Sequence, residues 1–371
     1  MRDRTWPLIA GGFALIAVCY GFARFAFGLF LPAIAAELSL SASFSGLIAG
    51  GSFFGYCVAI LVSARLTQRI GPRGVAVLAA GIAALGMAGI ALAPNGVALG
   101  AAVLFAGTST GLASPPLAAA VALRIAPTAQ ERANSIINAG TSAGVALSAP
   151  AALFPGSDWR LCFAGFTGFA LVETGVVLLV VPKGKGAAKR PLRPFFTPDL
   201  KRLSLAAFLT GAASTAIWSF GGSIIAQTLG WSGARIDYLW FVIGVFGLVG
   251  SGCGSVVRRF GLIATHRTAL LMAAFAIAML GLLPSPLAAM AAGGLFGAAY
   301  IGLSSVYLLW GVAALPDRPA TALTIGFLAL AAGQVAGAPL FGALLEQCGV
   351  AASSVVFALL ALSPLFVRRR P

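Results

Sequence analysis

Two ionisable side chains lie where ionisable groups are costly. Arg24 falls inside the apolar stretch 7–36, and Glu173 inside 160–182. A charged residue at the centre of a membrane-spanning helix costs about 2.5–3.5 kcal/mol on insertion scales, so it signals a partner, a water-filled cavity or a role. Arg24 could attract an anionic or carbonyl group of a solute. Equally, it could snorkel outward or cap carbonyls of a neighbouring helix. Glu173, the only acid read as deep in a span, could pair with Arg24, remain a neutral buried acid, or carry a transported proton. By elimination it is the candidate proton carrier.

Uncharged polar residues form helical stripes around these two. Asn134, Asn138, Thr141 and Ser148 follow i, i+4, i+7 and i+14, which is one helix face. Thr108 and Gly111 precede Pro115-Pro116, whose missing N–H groups free carbonyls for ligand or water where a helix breaks. Tyr300, Ser304 and Tyr307 share a face with Trp310 nearby, while Trp218 and Gln334 (beside Gly333 and Gly337) lie on other segments. Such residues suit an apolar, aromatic pocket with a few polar points. Each could instead serve helix–helix hydrogen bonding or interface anchoring. The candidate substrate contacts are Arg24, Thr108, Asn138, Trp218, Tyr300, Tyr307 and Gln334, with Glu173 for proton coupling.

Other chemistries find no support in the residues. No G-x-x-x-x-G-K-[ST] motif is present for ATP, and no His/Cys/Asp/Glu cluster has metal-ligand spacing. The single histidine, His266, offers no histidine-built metal site or proton relay. The five cysteines are scattered and read as small core residues. No catalytic residues, metal or cofactor are expected, and the chain is read as no enzyme. An intramembrane lipid-modifying enzyme would need a catalytic cluster that is missing.

The elements that must position these groups follow from composition. Of 371 residues, 60% are hydrophobic and 9% charged, and the mean hydropathy is +0.99. A soluble domain carries about 25% charged residues. Too little polar surface exists to coat a water-soluble globule, which excludes a soluble enzyme or nucleic-acid binder. Apolar segments at 7–36, 43–64, 74–93, 96–123, 133–154, 160–182, 203–227, 236–257, 268–284, 286–315, 320–345 and 350–367 predict twelve transmembrane helices. Strands of a barrel would be about 10 residues long with alternating polarity. The first apolar stretch is too long for a signal peptide and reads as a retained helix. The segment 183–202 is basic and rich in Gly and Pro, and divides the chain into an N-terminal bundle (1–182) and a C-terminal bundle (203–371).

Charge fixes an expected orientation. Of the 24 Lys and Arg residues, all but Arg24, Arg160 and Arg235 fall at the termini or in alternate connections, including the central 183–202 segment. Such asymmetry places those connections and both termini in the cytoplasm. The net charge of +15 is therefore accounted for by topology, not by nucleic acid. The expected setting is a bacterial inner membrane, with the protein a monomer in the lipid bilayer.

The two halves also repeat. At a shift of about 190 residues, Pro94 falls on Pro284, Arg69-Ile70-Gly71 on Arg259-Phe260-Gly261, and Leu104-Phe105 on Leu295-Phe296. Pro127 falls on Pro316, and Gly144 and Ala149-Pro150 on Gly333 and Ala338-Pro339. An even number of helices per half makes the halves parallel repeats.

These residues resemble the major facilitator superfamily. Its loop between helices 2 and 3 reads G-x-x-x-D-R-x-G-R. Here the copies are Ala64-x-x-x-Gln68-Arg69-Ile70-Gly71-Pro72-Arg73 and Gly254-x-x-x-Arg258-Arg259-Phe260-Gly261. The arginine and glycine survive twice; the family's aspartate does not. Pro127 to Arg132, and Trp159-Arg160, are also similar to the superfamily, and YGFARFAFGLFLP (20–32) resembles its YbfB/YjiJ-type branch. The resemblance implies an all-α membrane protein of twelve transmembrane helices in two pseudo-symmetric six-helix bundles, with helices 1, 4, 7 and 10 lining the cavity. It implies gating roles for Arg69, Gly71, Arg73, Arg258, Arg259 and Gly261, of which Arg69 and Arg259 could instead be positive-inside anchors alone. The expected function is secondary active transport of a small organic solute by alternating access, coupled to protons and favouring efflux over uptake. The runner-up is a membrane receptor or scaffold on the same fold.

Overall fold

The computed structural model describes residues 5–149, 158–184, 197–316 and 318–367. Pro150, most of the central basic segment (185–196) and the terminal arginines Arg2, Arg4 and Arg368 to Arg370 lie outside the described residues. Among those described, all regular structure is helical. In lipid no water serves the backbone, so a helix, which satisfies its own N–H and C=O groups, is the form these apolar stretches must take.

The described residues form twelve helices. The first set is α1 (Thr5–Glu37), α2 (42–70), α3 (72–91), α4 (Gly96–Arg124), α5 (Pro127–Ser148) and α6 (Trp159–Val180). The second set is α7 (Pro198–Trp218 and Gly221–Leu229), α8 (Ala234–Gly250 and Cys253–Phe260), α9 (Leu262–Leu282), α10 (Pro286–Ala314), α11 (319–348) and α12 (350–362). Side-chain caps start several of them. Asn95 accepts from the Ala98 N–H at 2.9 Å, Asp158 from Arg160 at 2.8 Å, and Thr197 from Leu200 at 3.2 Å.

The structure departs from the apolar pattern in five helices. Helix α5 starts six residues earlier than hydrophobicity suggests, because Pro127 opens it and Gln130, Glu131 and Arg132 occupy its first turns. Helices α7 and α8 are each bent, by 45° and 48°, at short breaks around Ser219–Phe220 and Ser251–Gly252. Helix α1 changes to π-helix over Ala17–Phe25. Conversely, α4 runs unbroken through Pro115-Pro116, where a break was expected.

The fold is that of two six-helix bundles, and the two are built by the same packing rules. In the first, α1 packs on α5; in the second, α7 packs on α11. A Cβ on Gly144 of α5 would overlap the Ala17 carbonyl, and one on Gly333 of α11 would overlap the Phe208 carbonyl. The same relation joins α4 to α2 through Gly107 and the Ser52 carbonyl, and α10 to α8 through Gly297 and the Ile243 carbonyl. Small residues at these crossings let backbones approach, which is how helices associate where lipid removes the hydrophobic drive.

By compactness the chain forms two units, Met1–Phe27 with Gly51–Arg190, and Gly28–Gly50 with Pro191–Pro371. Within the second unit, the outer part of the α1–α2 hairpin lies against α7 and α11. A Cβ on Gly28 would overlap the Trp218 carbonyl, and one on Gly342 the Ala42 carbonyl. The Ser43 N–H donates to Glu346 Oε2 at 2.8 Å.

Candidate functional site

Arg24 is 7% exposed and lies in the last turn of the π-helical stretch of α1. Wide turns of this kind occur frequently at functional positions. Its guanidinium carbon lies 4.6 Å from the ring centroid of Phe53, 4.7 Å from Tyr56, 5.2 Å from Phe25 and 5.8 Å from Tyr20. Tyr20 and Tyr56 meet edge to face at 6.4 Å, and the Tyr20 hydroxyl lies 3.1 Å from Ser114 Oγ beside the proline pair of α4. Tyr20 is one turn before Arg24 on α1, while Phe53 and Tyr56 share a face of α2. Helices α1, α2 and α4 of the first unit thus build an aromatic box around one cation. The π faces offset part of the cost of burying the charge.

Glu173 on α6 is 5% exposed, and its Oε1 has no hydrogen-bond partner among the described residues. Glu173 lies within electrostatic reach of the buried Cys19 thiol of α1. Thr108 donates to the Phe105 carbonyl at 2.7 Å and packs against Gly55 of α2, while Asn138 is exposed on α5.

In the second unit, three of the candidate contacts come together. Gln334 Nε2 of α11 donates to the Tyr300 hydroxyl of α10 at 3.1 Å and to Ser214 Oγ of α7 at 3.3 Å. The Trp218 ring meets Phe296 and Tyr300, each at 5.3 Å and edge to face. This is a second aromatic cluster with one amide and two hydroxyls. Tyr307 does not join it. Two turns along α10, its hydroxyl donates to the Ala206 carbonyl at 3.2 Å and meets Thr210 Oγ1 and His266 Nε2. With the phenolic proton on that carbonyl, His266 Nε2 must be the donor to Tyr307. Trp310 flanks the imidazole at 5.8 Å and donates to Asp199 Oδ2 at 3.2 Å.

The gating candidates lie at helix ends. Gly71 (φ 78°) separates α2 from α3, and Gly261 (φ 83°) separates α8 from α9. Arg73 Nε donates to the Val181 carbonyl at 2.6 Å. Arg69 is exposed; Arg258 donates to Ser255 Oγ at 3.0 Å, and Arg259 lies 5.3 Å from the Phe260 ring.

Sequence reasoning missed the box partners Tyr20, Phe53 and Tyr56, the His266 network, and Asp237. The last is 5% exposed in the first turn of α8, with Oδ2 lacking a partner among the described residues, so Glu173 is not the only buried acid. Only Tyr20 carried a local signal, its i−4 spacing from Arg24. Among the described residues, no group of three or more His, Cys, Asp or Glu could hold a metal.

Twelve apolar helices in two like-built bundles, with polar groups held among aromatic rings inside them, define a multi-pass membrane protein of the transporter class. The chain belongs to the major facilitator superfamily: that family's sequence profile matches residues 13–338. No curated protein matches the sequence. Among solved structures, the chain is similar to a mutant form of the nucleoside transporter NupG (TM-score 0.80, 10% identity, 97% of this chain and 98% of that one). It is also similar to the human organic anion transporter MFSD10 (TM-score 0.71, 19% identity, 98% and 99%). A third neighbour is a bacterial homologue of the human lysosomal transporter Spinster (TM-score 0.75, 16% identity, 99% and 96%). At these identities the likeness is one of fold.

Proposed function

We propose that the protein is a secondary active transporter that moves a small organic solute by alternating access, coupled to protons and working in efflux. The observation that carries the solute class is Arg24, a permanent cation buried in a box of aromatic rings. An amphipathic solute with a carboxylate or carbonyl group and an apolar body matches both features. The Trp218, Tyr300 and Gln334 cluster supplies a second aromatic and hydrogen-bonding surface. Asn138, Thr108 and Tyr307 are further candidate contacts. Glu173 is the proposed proton carrier, since a buried carboxylate oxygen with no hydrogen-bond partner among the described residues is open to protonation. Arg69, Gly71, Arg73, Arg258, Arg259 and Gly261 are the proposed gating positions.

The distribution of Lys and Arg supports both termini in the cytoplasm, and the proposed setting is a bacterial inner membrane. The bundles proposed from the sequence are 1–182 and 203–371, joined by 183–202, in a monomer. Residues 20–32 support placement in the YbfB/YjiJ-type branch. The test is ligand-induced thermal stabilisation of the purified protein, because a ligand that binds only the folded state must stabilise it. Organic anions with apolar bodies are expected to raise the melting temperature of the native chain, and much less that of Arg24→Ala. Stabilisation confined to cationic solutes would overturn the assignment of Arg24.

A further inference from the structure

We propose that the first unit carries a binding site for the headgroup of an anionic phospholipid, where the start of α3 meets the end of α6. A cavity of about 420 Å³ opens there, and among the described residues its charged lining is Arg73 and Lys183, with no acid. Its size is that of small-molecule sites in general, about 300–1,000 Å³. Arg73 is not a free surface cation. Its Nε donates to the Val181 carbonyl at 2.6 Å, which fixes the guanidinium and leaves its terminal NH₂ groups for a ligand. The two segments that carry the cations meet backbone to backbone: a Cβ on Gly71 would overlap the Gly184 carbonyl.

The walls decide between a lipid and a free anion. Ile70 and Leu178 line the same cavity and are 52% and 47% exposed. A free phosphate would have no use for apolar walls facing the bilayer. An acyl chain would lie along them while the phosphate meets the two cations. On the orientation proposed above, the site faces the cytoplasmic leaflet, whose anionic lipids attract basic clusters at about 1 kcal/mol per Lys or Arg. The inference rests on that orientation and not on transport, so a protein that failed to move solute could still bind lipid here.

The experiment is native mass spectrometry of the purified full chain, with melting temperature read in parallel, against phosphatidylglycerol, phosphatidylcholine and inorganic phosphate. Phosphatidylglycerol is expected to be retained and to raise the melting temperature; the other two are not. Lys183→Glu and Arg73→Gln should each lower phosphatidylglycerol retention at least about fivefold, the factor that 1 kcal/mol represents. Because Arg73 also holds Val181, the exposed Lys183 supplies the cleaner variant, and its melting temperature without lipid checks that the fold is intact. Equal retention of the two lipids, undiminished binding by Lys183→Glu, or equal stabilisation by phosphate alone would each overturn the proposal.

Discussion

The Arg24 guanidinium carbon sits 4.7 Å from the ring centroid of Tyr56, on the neighbouring helix, and 4.6 Å from that of Phe53. Ring faces stabilise a nearby cation, and a guanidinium adds a planar fork of N–H donors that matches a carboxylate. Lysine keeps the charge but not the plane. Arg24→Lys is therefore expected to retain the fold and to weaken binding of an anionic solute at least tenfold, about 1.4 kcal/mol. Arg24→Ala should weaken it further. Titration of the stabilising solute against each variant checks this, and equal affinity for Arg24→Lys and native protein would remove the stacked geometry from the account.

Glu173→Gln keeps the shape of the side chain and removes its proton. A proton carrier at this position predicts that flux driven by an imposed pH gradient is lost, while exchange of labelled for unlabelled solute at equal pH persists. Asp237, the second buried acid, supplies the comparison. If Glu173→Gln still accumulates solute against a gradient and Asp237→Asn does not, the coupling role moves to α8.

Two of the positive-φ glycines, Gly71 and Gly261, give a prediction about stability with an internal control. Both pair a positive φ with an extended ψ, a region that costs a non-glycine residue about 1–3 kcal/mol, so Gly71→Ala and Gly261→Ala should both lower the melting temperature. Gly71→Ala should do so more, because its Cβ would meet the Gly184 carbonyl, whereas nothing lies within 4 Å of a Cβ on Gly261. Equal shifts would mean that backbone conformation alone sets the cost.

Tyr307→Phe leaves Thr210 and His266 without their shared partner. A buried polar group deprived of its bond costs about 1–3 kcal/mol. A lowered melting temperature with unchanged solute affinity is expected if Tyr307 serves only its bonds to Ala206, Thr210 and His266; a loss of affinity without loss of stability would make Tyr307 a direct contact.

The helices and the repeat were legible because they depend on local quantities. Apolar length marks a span, and the Arg-x-Gly pair marks a tight turn in both copies, Gly71 and Gly261 having nearly the same φ. The breaks in α7 and α8 were less legible, although Gly221-Gly222 and the Gly250, Gly252 and Gly254 run stand beside them. Glycine is common throughout such helices and does not by itself distinguish a bend from a close crossing. The π-helical turn left no compositional trace. The site was half legible. Arg24 declared itself by the cost of its charge, and Trp218, Tyr300 and Gln334 by residue type. Phe53 and Tyr56 look like ordinary apolar-face aromatics until α2 is seen against α1. His266 was set aside for want of a second histidine, yet its partner is a tyrosine supplied by α10. Pairings between helices, not residues, are what one-dimensional patterns lack.

Coupled transport is read out in reconstituted vesicles. With the chain in sealed vesicles, an imposed pH gradient should drive movement of the stabilising solute, and an uncoupler should abolish it. A solute that binds and stabilises the protein, yet crosses no faster than through protein-free vesicles under any gradient, would contradict the account and leave a receptor or scaffold on this fold.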